Sequence, residues 1–543
     1  MKHIFQLILS GLLAILLVAG CDTDALHNLN KNPNSVGEIN MNYFFTALSL
    51  GITNGGSRGD NRYLDWRTNI GMCAHCTQQM ATLAEGGLGM GDKYIDNDQE
   101  VSNAPFEFWL PDVGKKTHEI LIQTGPGGFE DGLKVNMRNA TRIIHAFNFA
   151  RLSDMYGSVP YSQANLGIEG TYYPVYDKQR DVYLGCLQEL ADATAALSAS
   201  NPDEGFAYAD VIFNGDVAKW KKWGYSLMLR LAMRVSIKEP TLAGTWVTAA
   251  IQGGVFESND DNVWVPMATG PDVWTVQNGI SRAFLPQDGG QGNDSHMAKT
   301  LIDWLMGPNK ASVADDDPRL MIYTMGIGIW TGAGFAPIAG GTDPLNQNGM
   351  PSGKNQSMID AEAGHPVVVD QTFSKINTTL LRLDSPHRLM TYSETELLQA
   401  EAIERGIGTV PGTAVSHYNA GVKAAMQMWV KYDPSLVVSD VAVSDYLDTY
   451  PYGGGALADR LEMIGEQLWA SHFMNWYEAW SEWRRTGYPQ LVPVNFPGND
   501  TNGQIPGKLR LPSSEVSGNP NYKTTATMPD EIKTKVWWAG GVD

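Results

Sequence analysis

Apolar residues recur at helical spacing in two parts of the chain, separated by a long stretch in which this spacing is lost. Ala140, Ile143, Phe147 and Ala150 lie three or four positions apart, which places them on one face of an amphipathic helix over residues 136–151. The same spacing predicts further helices over residues 41–51, 62–84, 183–197, 217–235, 397–405 and 414–429. The pattern therefore predicts a mainly α protein.

Local signals mark the ends of several of these helices. Gly157 and Pro160 stop the helix that begins near residue 136. Asp181 is the predicted N-cap of the helix over residues 183–197. Residues 393–396 read SETE, which fits a capping box, and Gly406 suits the left-handed backbone that ends such a helix.

Between residues 253 and 390 the helical spacing fades. This stretch is rich in Gly, Pro, Asn and Asp, which predicts short strands and long loops. Long loops on a rigid frame commonly carry binding function, so we expect the ligand surface mainly here and in the Gly-rich residues 86–98. The run Asp315-Asp316-Asp317 lacks the regular spacing and closing Glu of a calcium loop, which favours a capped turn over a calcium site.

Residues 1–20 have the make-up of a secretory signal peptide. They contain a cation at Lys2, an apolar run too short for a membrane span, and small residues just before Cys21. This end resembles the lipobox of bacterial lipoproteins, in which the cysteine becomes the lipidated first residue. We expect a lipid on Cys21 and a turn-rich tether over residues 21–40; the alternative is an ordinary cleaved signal with a chance cysteine.

The composition is that of an ordinary globular protein, with 43% hydrophobic and 18% charged residues. A net charge of -20 and a pI near 4.9 argue against a nucleic-acid partner, because phosphate backbones require a basic face. The chain is rich in aromatic residues, with 16 Trp and 21 Tyr. Exposed rings stack on flat ligands, although any single Trp is more often a core residue.

Two stretches suggest metal or nucleotide chemistry but do not fit it well. Residues 73–76 read CAHC, yet structural zinc takes four ligands and no second cluster matches this one. Buried small residues beside a helix are the alternative. The Gly-rich residues 86–98 lack the Lys-Ser/Thr end of a phosphate loop. We therefore expect no metal site and no cofactor.

Distinctive sequence blocks occur at intervals along the whole chain. They read LNKNPN at residues 29–34, DMYGSVPY at 154–161, LRLAMR at 229–234, YEAWSEWRRTGYP at 477–489 and LRLPSSE at 509–515. In content and order they resemble the SusD/RagB family of nutrient-binding outer-membrane lipoproteins, and the block at residues 477–489 resembles one SusD-like subfamily closely.

The resemblance implies a SusD-like fold in which tetratricopeptide-like helix pairs form a scaffold. In this organisation residues 41–543 are a single domain, with a helical scaffold over about 41–250 and 390–543 and a loop-rich ligand-side insertion over about 253–390. The family signature by itself says little about the ligand, because function resides in the loops that the scaffold carries.

The resemblance also implies a function. The protein would be a surface-exposed lipoprotein that binds a nutrient, usually a glycan, and delivers it to a SusC-like TonB-dependent transporter in the outer membrane. Binding is then non-catalytic, with aromatic rings stacked on sugar faces and polar groups bonded to hydroxyls. A secreted glycan hydrolase and a structural surface protein are the alternatives, although no catalytic pair or motif can be singled out.

Candidate ligand contacts are aromatic residues in loop-like settings or near a helix start, with one polar partner. They are Trp66, Tyr94, Asn97, Trp109, Trp274 and Trp330. No family motif fixes these positions.

In contrast, the tryptophans of the C-terminal blocks, Trp469, Trp476 and Trp480, are predicted to lie in the core. We expect Arg484 and Arg485 to pair with buried carboxylates or to cap carbonyls. For Arg230 and Arg234, pairing with carboxylates or solvation is the commoner case, and an anion site is the alternative.

Overall fold

Helices form the frame of this protein, because the apolar stripes in its sequence can be buried only by packing one helix against another. A computed structural model describes residues 39–53, 62–86, 90–96, 100–270, 276–285, 294–331, 334–525 and 528–543. Residues Asn42–Asp543 form one compact unit. The predicted mainly α fold is confirmed.

The α-helices are α1 Met41–Gly51, α2 Arg62–Leu64, α3 Glu100–Phe108, α4 Gly114–Gln123, α5 Val135–Tyr156, α6 Gln179–Ala196, α7 Phe206–Ala209, α8 Val217–Val235, α9 Pro240–Gly253, α10 Gly279–Phe284, α11 Lys299–Leu305, α12 Leu320–Tyr323, α13 Gln356–Ala363, α14 Tyr392–Arg405, α15 Ala414–Gln427, α16 Asp440–Thr449, α17 Leu457–Ser471, α18 Trp476–Thr486, α19 Ser513–Gly518 and α20 Tyr522–Thr525. Two π-helical segments are π1 Asp65–Ala74 and π2 Trp109–Val113. The strands are β1 Met80–Ala81, β2 Val263–Val265, β3 His296–Met297, β4 Thr324–Thr331, β5 Gly334–Pro337, β6 Ser374–Ile376 and β7 His387–Met390.

Two groups of helices make the scaffold. In the first, α5 packs on α6, α6 on α8 and α8 on α9; in the second, α15 packs on α14, α14 on α17 and α17 on α18. Helices α8 and α14 also contact each other and so join the two groups. The tetratricopeptide-like helix pairs thus lie before and after residues 253–390 in the chain.

The strands are short and lie in the loop-rich stretch or pair with it. β1 pairs with β3, β2 with β7, and β4 is the centre of a three-stranded sheet in the order β5-β4-β6; all pairs are antiparallel. β4 and β5 are two residues apart in the chain, whereas longer connections, some of which contain the short helices α10 to α13, separate the other consecutive strands. The prediction of a loop-rich region with short strands is confirmed, and the four short helices within it were not predicted.

Several predicted helix ends need correction. Thr391, not Ser393, caps α14, because its side chain accepts a hydrogen bond from the Glu394 amide. Helix α6 begins at Gln179, ahead of the predicted N-cap Asp181. A turn that contains Met474 at a φ of 72° separates α17 from α18. Gly157 and Gly406 end α5 and α14 as predicted.

A layer of buried charged residues lies where α8, α14 and α18 meet. Arg230 on α8 donates to both carboxylate oxygens of Glu394 on α14, with Nη2 at 2.6 Å from Oε2. Arg234 on α8 donates to Glu478 and, at 2.6 Å, to Glu482, both on α18. All five side chains are almost fully enclosed. We call these residues, with Arg485 and Glu401, the ionic layer.

The two arginines of the YEAWSEWRRTGYP block complete this region. Arg485 donates to both oxygens of Glu401 on α14, at 2.8 and 2.5 Å, and to Glu482 at 2.5 Å. Arg484 lies 3.9 Å from the centroid of the Trp480 ring and donates to the carbonyls of Asp154 and Gly507 at 2.6 and 2.9 Å. The predicted roles of both arginines are confirmed.

The predicted pairing of Arg230 and Arg234 is likewise confirmed, and Trp469, Trp476 and Trp480 are fully buried. Burial opposes ionisation of Glu478, but Arg230 and Arg234 outweigh that cost and hold its pKa below the ordinary value. The signature block therefore builds the interior of the scaffold.

Replacing Glu478 with Gln should lower the free energy of unfolding by roughly 3 to 5 kcal/mol, because it leaves Arg230 and Arg234 buried with too little negative charge. Urea denaturation at neutral pH measures the change. The control Glu362→Gln removes an exposed carboxylate that pairs with Lys354 and should cost less than about 1 kcal/mol. Equal, small losses in both variants would contradict this role of the ionic layer.

Glu466 on α17 should destabilise the fold at high pH. Burial raises its pKa to about 7 from 4.5, although a hydrogen bond from Trp304 opposes the shift. As the pH rises from 4.5 to 7, the unfolded chain releases this proton while the folded chain keeps it, so stability falls and the loss is complete above pH 7.

Glu466→Gln should therefore be more stable than the unsubstituted protein at about pH 8, by roughly 2 kcal/mol, and equally stable at about pH 4. Denaturant titrations at the two pH values measure this. For comparison, a hydrogen bond from Arg460 lowers the pKa of Glu404. Glu404→Gln should therefore be less stable than the unsubstituted protein at about pH 8. A Glu466→Gln effect that does not change with pH would overturn the prediction.

Candidate functional site

Two aromatic side chains at the junction of α2 and π1 are partly exposed and nearly parallel. The ring planes of Tyr63 and Trp66 differ by 11°, and their centroids are 6.5 Å apart. Flat, partly exposed rings provide a surface for the apolar face of a sugar ring. We call Tyr63 and Trp66, with the neighbouring Arg62 and Arg67, the aromatic platform.

The two guanidinium groups of the platform lie against its rings. Arg62 Cζ is 5.5 Å from the centroid of Trp66 and 5.6 Å from that of Tyr63, and Arg67 Cζ is 4.6 Å from the centroid of Tyr63. At these distances a guanidinium is attracted to the ring face and restricts its motion. The platform therefore combines apolar ring area with two positive charges.

The inner side of π1 is fixed to the scaffold. Tyr477, the first residue of the YEAWSEWRRTGYP block, donates from Oη to the Leu64 carbonyl at 2.9 Å and from its amide to Asn69 Oδ1 at 3.2 Å. Thr68 donates to the Val101 carbonyl at 2.5 Å. A π-helix is rare and often occurs at functional sites. Here its outer side carries Trp66 and its inner side is held by α18 and α3.

A second exposed aromatic pair lies on the β4–β5 hairpin. Trp330 and Phe335 are directly opposite in the register, with ring centroids 6.0 Å apart and planes at 71°. Both side chains are partly exposed, and the neighbouring Ile329 is 41% exposed. Trp330 thus lies on an accessible surface, as expected for a candidate contact.

Gly328 allows the hairpin to pack in this way. A Cβ at this position would lie 2.5 Å from the Ala336 carbonyl oxygen and 2.7 Å from Cζ of Phe335. The absence of a side chain lets Phe335 lie across the β4 backbone. Its ring therefore stays beside Trp330.

The expectation that Tyr94 and Trp109 are exposed is wrong. Tyr94 is 1% exposed, and its hydroxyl accepts a hydrogen bond from the Val494 amide at 3.2 Å; burial raises its pKa well above the ordinary value. Trp109 begins π2 and is fully buried between Arg151, whose Cζ is 3.8 Å from the ring centroid, and Tyr477. Both are core residues, and we do not propose them as ligand contacts.

Three predicted residues lie outside the described part of the chain: Cys21, Asn97 and Trp274. The nearest described element after Trp274 is α10, which packs against α2 and π1. Of the six candidate contacts, Trp66 and Trp330 are thus the two that the structure places on partly exposed surfaces.

Sequence reasoning did not name Tyr63 and Phe335. Tyr63 lies three residues before Trp66, a spacing that brings two side chains together on a helical face, and this signal was available in the sequence. Phe335 follows Gly334 beyond the hairpin turn. Its pairing with Trp330 depends on strand register, which the sequence alone does not specify.

Glu394, His472 and Glu478 are buried, and their potential ligand atoms lie within 4.8 Å of one another. Arg230 and Arg234 already bond to both carboxylates, so a divalent cation there would be repelled by two guanidinium groups. Burial lowers the pKa of His472 to about 3, and nearby arginines add to that shift. This cluster belongs to the ionic layer.

The cysteines of the CAHC stretch lie within and just after π1. Cys73, His75 and Cys76 are fully buried, and His75 Nε2 is 2.9 Å from Ser295 Oγ. Burial raises the pKa of both thiols, which disfavours the thiolate that binds metals. These residues fit the alternative of small side chains packed beside a helix.

A family model for SusD-like proteins, described as starch-binding and associating with the outer membrane, matches residues 65–512. No curated protein sequence matches the chain. Among the described residues, none of the helices has the length and apolar character needed to cross a membrane.

Solved structures match over nearly the whole chain. A chitin-binding protein is 29% identical with a TM-score of 0.75, and the match covers 92% of this chain and 100% of that one. A chitin-binding SusD homolog from Flavobacterium johnsoniae is 21% identical with a TM-score of 0.69, covering 93% and 99%. A SusD homolog from Bacteroides uniformis is 22% identical with a TM-score of 0.71, covering 92% and 99%. The last two matches show the shared fold.

Proposed function

The chain belongs to the SusD-like family of proteins that associate with the outer membrane, and from that premise we propose that it captures a glycan at that membrane without chemically changing it. The observation that carries the proposal is the aromatic platform. Its two nearly parallel, partly exposed rings are fixed to the scaffold by the same helix that carries the family signature.

The platform suits a glycan because a sugar ring has one face of C–H groups and a rim of hydroxyls. Tyr63 and Trp66 supply flat apolar area for the face. The hairpin pair Trp330 and Phe335 offers a second surface of the same chemistry. Stacking and hydrogen bonding need no catalytic group.

The class of glycan is narrowed by the relatives. Two of the matched proteins are described as chitin-binding, and one of them is 29% identical over nearly the whole chain. Oligomers of N-acetylglucosamine are therefore the first ligands to test, followed by starch oligosaccharides, because the family model is described as starch-binding.

We further propose that the protein works beside a SusC-like TonB-dependent transporter and is held in the membrane through a lipid on Cys21. In that arrangement residues 1–20 are the signal peptide, residues 21–40 are the tether, and residues 41–543 present the bound glycan to the transporter. The lipobox-like sequence and the family membership support this arrangement.

Alanine replacement of Trp66 or Tyr63 should weaken glycan binding by about tenfold each, equivalent to about 1.4 kcal/mol, because either change removes half of the stacking surface. Isothermal titration of the detergent-solubilised protein with N-acetylglucosamine and starch oligosaccharides measures this. The control Tyr208→Ala removes a ring that is 93% exposed in α7 and should leave affinity unchanged. Unchanged affinity in the platform variants would place the glycan elsewhere.

Isolation of the native protein from detergent-solubilised outer membrane should recover a large TonB-dependent barrel in near-equal amount, identified by mass spectrometry. A Cys21→Ala variant is the matched control, because it should no longer fractionate with the membrane. Abundant protein without a barrel would contradict the proposed partnership, and unchanged membrane fractionation of the control would contradict the lipid anchor.

A further inference from the structure

Two adjoining cavities lie beside the Asp315-Asp316-Asp317 run. Their volumes are about 330 and 400 Å³, and both are lined by Asp315, Asp317, Tyr446 and Tyr450. One cavity extends to Trp304 and the other along α16. Because they share these walls, we treat them as one depression, which we call the Trp304 cleft. No residue of the aromatic platform lines it.

The cleft has aromatic and apolar walls. Trp304 and Tyr450 are partly exposed, and the rings of Tyr446 and Tyr450 are 5.0 Å apart. Tyr450 is held in place because its hydroxyl donates to the Asp315 carbonyl at 2.8 Å. Three prolines also line the cavities: Pro308, Pro318 and Pro344. Such walls suit a ligand with a flat apolar face.

The charges around the cleft are mostly negative. Its lining includes the carboxylates of Asp303, Asp315, Asp316 and Asp445, against one lysine, Lys310, which lies 3.6 Å from Asp303. The fifth carboxylate, Asp317, is neutralised by Arg319 at 2.7 Å. Oδ1 of Asp315 and Oδ1 of Asp316 are shielded from solvent and have no hydrogen-bond partner among the described residues.

The pKa of Asp316 reflects its burial and the neighbouring carboxylates. Burial and the neighbouring Asp315 raise its pKa to about 6, and Lys310 only partly opposes the shift. A positive charge in the cleft would relieve this repulsion.

We propose that the Trp304 cleft is a second binding site, which takes a sugar carrying a protonated amino group, such as an oligomer of glucosamine. The apolar sugar face stacks on Trp304 and Tyr450, and the ammonium lies among Asp315, Asp316 and Asp445. The site rests on the proposed function only in that its ligand is a glycan; its residues are separate from the aromatic platform.

A calcium ion fits this cleft less well than an ammonium group. Asp315 Oδ2 already accepts a hydrogen bond from the Asn309 amide at 3.0 Å, and both oxygens of Asp317 bond to Arg319. Calcium needs six to eight oxygen ligands at short range, whereas an ammonium needs a few acceptors and gains from nearby aromatic faces.

The test compares two oligosaccharides of equal length, one of glucosamine and one of N-acetylglucosamine, by titration of the detergent-solubilised protein at about pH 6.5, which is above the pKa of about 6 of Asp316. The glucosamine oligomer should bind at least about tenfold more weakly to the double variant Asp316→Asn/Asp445→Asn, because two attractive charges are lost. Affinity for the N-acetylated oligomer should not change.

Asp448→Asn is the matched control, because Asp448 is exposed on the same helix as Asp445 but does not line the cleft. It should change the affinity for glucosamine by less than about twofold. An equal loss in Asp448→Asn would show general attraction to an acidic surface and would overturn the site, as would equal binding of both oligomers to all variants.

Two further measurements separate this site from others. Trp66→Ala should leave glucosamine binding intact while it weakens binding of the neutral glycan, so failure of one site is distinguishable from failure of the other. The second measurement uses calcium. If calcium raises the melting temperature of the unsubstituted protein but not that of the double variant, and also abolishes glucosamine binding, the cleft is a metal site and the proposal is overturned.

Discussion

The pairing of Arg234 with Glu478 and Glu482 is the interaction on which the rest of this structure depends. It joins α8 to α18 in a region from which water is excluded, and the bonds of Arg230 to Glu394 and Arg485 to Glu401 add α14 to the same layer. Buried charges are tolerated only when their geometry and pairing are complete. The layer therefore fixes how the two groups of scaffold helices meet.

This constraint explains why the most recognisable sequence block is not the ligand site. The glutamates and arginines of YEAWSEWRRTGYP form hydrogen bonds in the interior. Trp480 of this block and the preceding Trp476 are fully buried. Tyr477 links the block to the proposed site, because it holds the backbone of α2 and π1 behind the aromatic platform. The family signature thus identifies the scaffold, and the proposed ligand surfaces lie on elements that the scaffold supports.

Much of the frame could be predicted from sequence because helical periodicity is local. The bounds of α1 and α8 agree with the apolar pattern, and the roles of Arg484 and Arg485 followed from charge in an apolar block. Exposure was harder to predict. Trp109 and Tyr94 are buried by Tyr477 and by the Val494 backbone, partners far away in sequence, and Tyr63 was missed although its spacing from Trp66 was visible. Burial depends on tertiary contacts that no local pattern encodes.

We propose that one scaffold, locked by buried ion pairs, presents separate aromatic surfaces to glycans. The most direct test is a crystal structure of the protein with an N-acetylglucosamine oligosaccharide bound. We expect a sugar ring stacked on Tyr63 and Trp66, an intact glycosidic chain, and an ionic layer unchanged around Arg234. A glycan bound only away from the platform, or found cleaved, would contradict it.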